Sequence, residues 1–233
     1  MTSANPILDT VEQAPDGTAQ ASVIWLHGLG ADGRDFADLP GMLNLPAQMS
    51  IRFLFPHAPM RPITLNGGMT MRGWYDVTGL EASRKEDLEG LQASSDLVTA
   101  LIHQEVARGI PANQILLGGF SQGGALSLYL GLRYPNRLAG IVALSAYLPA
   151  ASRISVECSE ANQNTRVFMG HGLHDPMISL QVGDSSRQLL EKLGYPLTWR
   201  TYPMQHSICE SEMRDLAEFF VDCLSGSAGT NHS

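Results

Sequence analysis

Ile115-Leu116-Leu117-Gly118-Gly119-Phe120-Ser121-Gln122-Gly123-Gly124-Ala125 is the stretch that organises the rest of the chain. An apolar run with strand character, Ile115 to Leu117, meets Gly119-Phe120-Ser121-Gln122-Gly123, and a run with helix character follows from Ala125 to Tyr134. That is strand, sharp turn and helix, with one serine at the apex and glycine on both sides. Such an elbow is strained, and a Cβ at either glycine would meet the neighbouring strand or helix. The serine hydroxyl then stands above the sheet, at a helix N-terminus whose amides favour developing negative charge. The pattern alone is short, so its surroundings decide.

Those surroundings alternate strand with helix. Ser22–Leu26 is an unbroken apolar run suited to a strand buried on both faces, and it feeds the glycine-rich loop 27–33. A helix-like stretch from Arg34 to Leu43 and a second buried strand, Ile51 to Phe55, come next. Asp87 to Arg108 carries Leu88, Leu91, Ser95, Val98, Leu101, Ile102 and Val106 on one stripe, with Gly109 at the C-cap. Gly140–Ser145, Arg166–Gly170 and Leu197–Tyr202 read as strands; Ser179–Leu193 and a last segment ending at Leu224 read as helices. The expected architecture is an α/β fold with a mostly parallel central sheet covered by helices on both faces.

No repeat or long linker divides the chain, so residues 21–224 form one expected domain. Residues 1–20 are a polar segment with a candidate edge strand at Ile7–Val11, and 225–233 a disordered tail. Residues 56–78 are irregular, with prolines, Gly67-Gly68 and several apolar side chains. They read as a flap over a pocket, against the plainer reading of a plug at the core's edge.

A net charge of −8 and pI ≈ 5.3 speak against nucleic acid and anionic membrane surfaces as partners. Three cysteines without CxxC spacing make no disulfide framework and suit a reducing compartment. The N-terminus has no signal-peptide pattern and no apolar run is long enough to span a bilayer, so a cytoplasmic protein without stable membrane insertion is expected.

A serine needs a base in reach and an acid to orient that base. In sheets of this kind the chemistry sits on loops at the carboxyl ends of strands. In α/β-hydrolases the parts follow the order serine, acid, histidine. After Ser121, the loop following the next-to-last strand holds Asp175 and the loop following the last holds His206. His171 and His174 flank Asp175, but His-x-x-His-Asp on a loop is no established metal spacing, and both read as loop hydrogen-bonders. His103 reads as a surface or packed helix residue, His232 lies in the tail, and His27 and His57 stand at strand ends where they could line the site, without a base role. Asp76, in the flap, is expected to pin it. Two backbone amides should stabilise an oxyanion, those of Gln122 and of Leu29 in the 27–33 loop. That loop lacks the Gly-Lys-Ser/Thr of a phosphate cradle and the acidic partner of a dinucleotide site.

With these residues in place the chain resembles the acyl-protein thioesterase, lysophospholipase and carboxylesterase family of α/β-hydrolases. The resemblance is carried by Leu26-His27-Gly28-Leu29-Gly30, Pro56-His57-Ala58-Pro59 with Arg61-Pro62 and Asn66, and Trp74-Tyr75-Asp76. It continues through Gly118 to Ser127, His171-Gly172 with Asp175-Pro176, and Met204 with His206-Ser207, spanning about residues 20–224. It implies Ser121 as nucleophile, Asp175 as orienting acid, His206 as general base, and the Leu29 and Gln122 amides as oxyanion hole. It also implies a flap binding acyl chains, and neither cofactor nor metal. Leu65, Met69, Met71 and Trp74 in the flap, with Met177 beyond Asp175, are the candidate substrate-binding side chains. The adaptable methionines suggest a carboxylesterase of broad short-to-medium acyl specificity. The alternatives are an acyl-protein thioesterase or lysophospholipase acting on long chains, a serine peptidase on the same fold, and a catalytically silent binding module. The expected substrate is a small-molecule ester or acyl-thioester, and the protein is expected as monomer or homodimer.

Overall fold

The computed structural model describes residues 8–79 and 86–225 of the 233. The strands, in chain order, are β1 (Thr10–Gln13), β2 (Ala21–Leu26), β3 (Ile51–Pro56), β4 (Met60–Ile63), β5 (Met69–Arg72), β6 (Ile115–Phe120), β7 (Gly140–Leu144), β8 (Arg166–Gly172) and β9 (Leu197–Tyr202). The helices are α1 (Leu39–Leu43), α2 (Leu88–Ala107), α3 (Gln122–Gly131), α4 (Ile154–Glu157), α5 (Leu180–Lys192) and α6 (Glu210–Leu224).

Seven strands form one sheet in the order β1-β3-β2-β6-β7-β8-β9. All pairs are parallel except β1 with β3, which runs Val11 against Phe55 in the opposite sense. The strands are apolar on both faces because both faces are covered. Ile24, Leu26, Ile115 and Leu117 pack with Leu91, Val98, Leu101 and Ile102 of α2, with α3, and with Leu190 of α5. The alternate residues Val23, Trp25, Phe53 and Phe55 pack with Leu39 and Leu43 of α1 and with Leu216, Phe219 and Phe220 of α6. Trp25, Phe55, Phe168 and Phe220 are fully buried, and burying each such side chain favours folding by roughly 1.5–3 kcal/mol.

Several elements differ from the sequence expectation. The edge strand is Thr10–Gln13, just past the Ile7–Val11 expected; Ile7 and most of the 225–233 tail fall outside the described residues. The stretch 34–43 is not one helix. A 3₁₀ turn, Gly33–Phe36, is closed by a capping box between Asp32 and Asp35, and α1 begins afresh with a proline in its first turn. The helix after Ser121 begins at Gln122 rather than Ala125. In α2 the stripe turns by one residue at its end: Glu105 is fully buried and Val106 is 44% exposed. Glu105 accepts from Ser22 Oγ and from Arg52 (2.9 Å) and Arg108 (3.1 Å), while Glu12 pairs with both arginines at 3.2 and 2.8 Å. This network ties β1, β2 and β3 to α2, and it holds the carboxylate inside.

The 56–78 segment is more ordered than its prolines and glycines suggest. It contains a hairpin, β4–β5, pairing Pro62 with Thr70 and turning through Gly67 and Gly68, both at positive φ. A proline fits there because this two-stranded unit lies apart from the main sheet. The hairpin is fastened at several points. Asp76 accepts from the Thr64 amide (2.8 Å) and hydroxyl (2.6 Å), and its own amide donates to Asp87 (2.8 Å), the N-cap of α2. Those bonds from Thr64 help hold the Asp76 carboxyl below its ordinary pKa, against the opposing effect of burial.

Candidate active site

In the order of the sheet, β3 lies on one side of β2 and β6 on the other, so the chain reverses direction across the sheet between β2 and β6. Loops leaving the carboxyl ends of those two strands open a crevice, which is where open parallel sheets bind ligands. The 27–33 loop leaves β2 and the Ser121 turn leaves β6.

Ser121 has φ 54 and ψ −118, a conformation rare for a residue with a side chain, and its amide donates to Leu144 O at 2.8 Å. Strain of this kind persists only where the surroundings enforce it. Here they do, through the glycines. A Cβ on Gly119 would stand 2.5 Å from Leu26 O, and one on Gly123 would stand 2.1 Å from the same oxygen. The elbow therefore lies flat on the end of β2.

The structure brings Ser121, His206 and Asp175 together from three loops. His206 Nε2 is 2.9 Å from Ser121 Oγ, and His206 Nδ1 is 2.7 Å from Asp175 Oδ2. Asp175 Oδ1 accepts the amides of Met177 (2.8 Å) and Ile178 (2.9 Å), so the carboxylate cannot turn without losing two bonds. The His206 ring packs on Phe120, centroids 4.8 Å apart. With Nδ1–H donating to Asp175, Nε2 is left as the acceptor facing the serine hydroxyl. The arrangement can take a proton from Ser121 and return it to a departing group.

The amides of Leu29 and Gln122 donate to no acceptor among the described residues. Gln122 is the first residue of α3, where a helix leaves its N–H groups free for a ligand.

The neighbouring histidines have structural roles. His27 Nε2 accepts from the Ala58 amide (3.0 Å) and its Nδ1 lies 2.7 Å from Gly28 O; burial lowers its pKa and keeps it neutral. His57 Nδ1 accepts from the Gly33 amide at 3.1 Å. His171 is a hydrogen-bonder as expected, but it stands in β8 rather than on a loop and is fully buried. Its Nε2 lies 2.9 Å from Ile178 O, and burial depresses its pKa as well. His174 and His103 are exposed. Of the His171-x-x-His174-Asp175 cluster, His171 Nε2 lies 3.6 Å from Asp175 Oδ2, but His174 is exposed and Asp175 bonds His206, so the three do not form a ligand set.

A cleft of about 530 Å³ opens over Ser121, within the usual range for small-ligand sites. Of the five candidate substrate-binding side chains, Leu65, Met71 and Met177 line it. Met69 does not: it is 64% exposed on the hairpin, away from the cleft. Trp74 does not either. It is fully buried, with its indole N–H donating to His27 O at 2.9 Å, so its one polar group is used inside the core. Sequence reasoning missed Phe36, Tyr75, Phe120, Tyr147, Ile178 and Ile208 in the walls. Tyr147 follows β7, and the rule that singles out loops at the carboxyl ends of strands could have found it.

A parallel sheet with a strained serine elbow at its reversal point, a histidine on the serine and a carboxylate on the histidine define an α/β-hydrolase of the serine-hydrolase class. The chain belongs to the phospholipase/carboxylesterase family, whose profile matches residues 9–224. Among curated proteins it is 40% identical over 213 residues to acyl-protein thioesterase 1 of Neurospora crassa, covering 88% of this chain and 87% of that one. It is 37% identical over 230 residues to acyl-protein thioesterase 1 of Cryptococcus neoformans, covering 91% and 95%. Among solved structures, acyl-protein thioesterase 2 of Zea mays superposes with a TM-score of 0.83 at 30% identity, covering 93% of this chain and 99% of that one. Esterase PE8 superposes with a TM-score of 0.82 at 26% identity, covering 94% and 100%. Among the described residues no helix is long and apolar enough to cross a membrane.

Proposed function

We propose that this chain hydrolyses acyl esters and acyl-thioesters through a covalent intermediate on Ser121. The observation that carries the reading is the continuous line from Ser121 Oγ through His206 (2.9 Å) to Asp175 (2.7 Å). Ser121 Oγ attacks the carbonyl carbon as His206 Nε2 takes its proton, and the amides of Leu29 and Gln122 hold the oxyanion. The alcohol or thiol leaves with the proton from His206. Water then attacks the acyl-serine, giving its proton to His206, and the acid departs as that proton returns to Ser121. Asp175 holds the imidazole tautomer throughout.

Residues 21–224 act in this reading as one hydrolase domain, with 56–78 as the wall of the acyl cleft. Leu65 and Met71 of that wall, with Met177 from the loop after β8, give the cleft a deformable apolar surface, which suits a range of short-to-medium acyl groups. The second reading, an acyl-protein thioesterase acting on longer chains, is favoured by the names of the fungal relatives. Neither reading requires a cofactor or metal; we take the protein to work in the cytoplasm, as a monomer or homodimer.

The experiment is kcat/KM on p-nitrophenyl esters from acetate to palmitate, with a palmitoyl thioester alongside and Ser121→Ala as control. A peak at short chains supports a general carboxylesterase; a peak at palmitate with faster thioester turnover supports the thioesterase. Equal turnover by Ser121→Ala and wild type would remove Ser121 from the mechanism.

A further inference from the structure

The side chain of Gln122 has no part in the chemistry above, yet it is buried and both of its polar ends are engaged. Its Oε1 accepts the Trp74 amide at 2.8 Å and its Nε2 donates to Tyr75 O at 2.7 Å. The carboxamide thus bridges the bend at Trp74 and Tyr75, holding one N–H and one C=O of the main chain. Trp74 is itself fixed, by its indole to His27 O (2.9 Å) and by its carbonyl to Ser94 Oγ. One residue from Leu29, the Gly30 amide donates to Arg72 O at 2.8 Å. Gly73 lies between these attachments: a Cβ there would stand 3.0 Å from Leu29 Cδ1 and 3.6 Å from Gln122 Oε1. The strip 72–75 therefore touches both residues whose amides face the oxyanion. It is also continuous with β5, whose Met71 lines the cleft.

We propose that the Gln122 carboxamide is a positioning group that clasps the elbow to the flap, fixes the spacing of the Leu29 and Gln122 amides, and links acyl-chain contact on β5 to oxyanion stabilisation. The proposal rests on the esterase reading and adds a role to a side chain that this reading leaves idle. Its logic is geometric. Oxyanion donors act only when aimed at the oxygen of the tetrahedral species, and deleting one costs about 10²–10³ in kcat. A donor kept but loosened loses part of that. Contact along the acyl chain can raise kcat only if it is transmitted to the reacting centre, and the 72–75 strip is a direct covalent route from Met71.

The test uses Gln122→Met and Gln122→Ala. Both keep the backbone amide, and Met also keeps most of the side-chain volume. Steady-state kinetics on p-nitrophenyl acetate and octanoate are paired with thermal melting. The expected result is a kcat loss of about tenfold to a hundredfold in both variants with little change in KM. The loss should be larger on octanoate, and Met should be no better than Ala. Gly73→Ala, which presses on Leu29 and the clasp from the flap side, should lower kcat in the same way and keeps the test decisive if a Gln122 variant does not fold. Wild-type kcat in Gln122→Met, or in Gly73→Ala where the Gln122 variants are unfolded, would overturn the proposal; so would equal losses on the two esters. Wild-type protein that turns over neither ester would instead remove the esterase reading beneath it, and the clasp with it.

Discussion

Replacing Asp175 by Asn isolates the part of the site that sets which nitrogen of His206 carries the proton. The carboxylate makes three bonds: Oδ1 accepts from Met177 (2.8 Å) and Ile178 (2.9 Å), and Oδ2 faces His206 Nδ1 at 2.7 Å. An asparagine has one acceptor oxygen, and the two amides claim it. Turning the side chain over would set an NH₂ against two N–H donors, at roughly 1–3 kcal/mol for each group left unsatisfied. The NH₂ therefore faces Nδ1, which must become an acceptor, and the proton moves to Nε2. His206 then offers Ser121 Oγ an N–H at 2.9 Å where a lone pair is needed. By analogy with the Asp→Asn change in the serine-protease template, the expected loss is about 10⁴ in kcat, or about 5 kcal/mol of transition-state stabilisation. Because Asn matches Asp in volume and keeps both amide bonds, the melting temperature should stay close to wild type. The assay is kcat on p-nitrophenyl butyrate, paired with the rate of fluorophosphonate labelling of Ser121, which should fall in parallel. Activity within tenfold of wild type in a folded Asn variant would refute the reasoning and take Asp175 out of the mechanism.

Glu105→Ala strips the buried partner from Arg52 and Ser22; a loss of about 3 kcal/mol in urea unfolding is expected, and one under 1 kcal/mol would mean that Glu12 alone satisfies the arginines. Glu212 is fully buried without a hydrogen-bond partner among the described residues, and burial pushes its pKa up to about 8. Since the folded state holds this proton more tightly than the unfolded chain, its contribution is complete below the ordinary Glu range and is lost as pH rises toward 8. Glu212→Gln should therefore flatten the decline in stability between pH 5 and pH 8, on the order of a few kcal/mol, in denaturant titrations across that range; an unchanged slope would place the titration elsewhere. Met71→Phe adds bulk to the cleft wall, so the peak of the acyl series should move to shorter esters, whereas an unmoved peak would mean that the chain lies along another wall.

The parts of this molecule legible in its sequence are those fixed by local geometry. Gly119 and Gly123 admit almost nothing else at their positions, which made the Ser121 elbow readable, and Asp175 and His206 stand out because they follow the last two strands in the serine, acid, histidine order of α/β-hydrolases. The unreadable parts depend on partners distant in the chain. Whether Glu105 or Val106 turns inward is a difference of one helical position, and it is decided by Arg52 and Ser22, more than fifty residues away. Trp74 reads as a pocket residue because it stands in an apolar loop; the His27 carbonyl that draws it into the core leaves no mark nearby. The β4–β5 hairpin contains Pro62 and Gly67-Gly68, local signals against a strand, and is upheld by bonds to Gly30, Asp87 and the residues around Asp76.

The elbow and its two partners come from loops that follow three different strands, with His206 85 positions beyond Ser121. No fragment of the chain carries a partial site, because β6, β7, β8 and β9 must all be in register before the serine meets the histidine. Hydrolytic activity is thus a reporter of finished folding: during renaturation it should return with the slowest long-range pairing, later than helix signal or collapse.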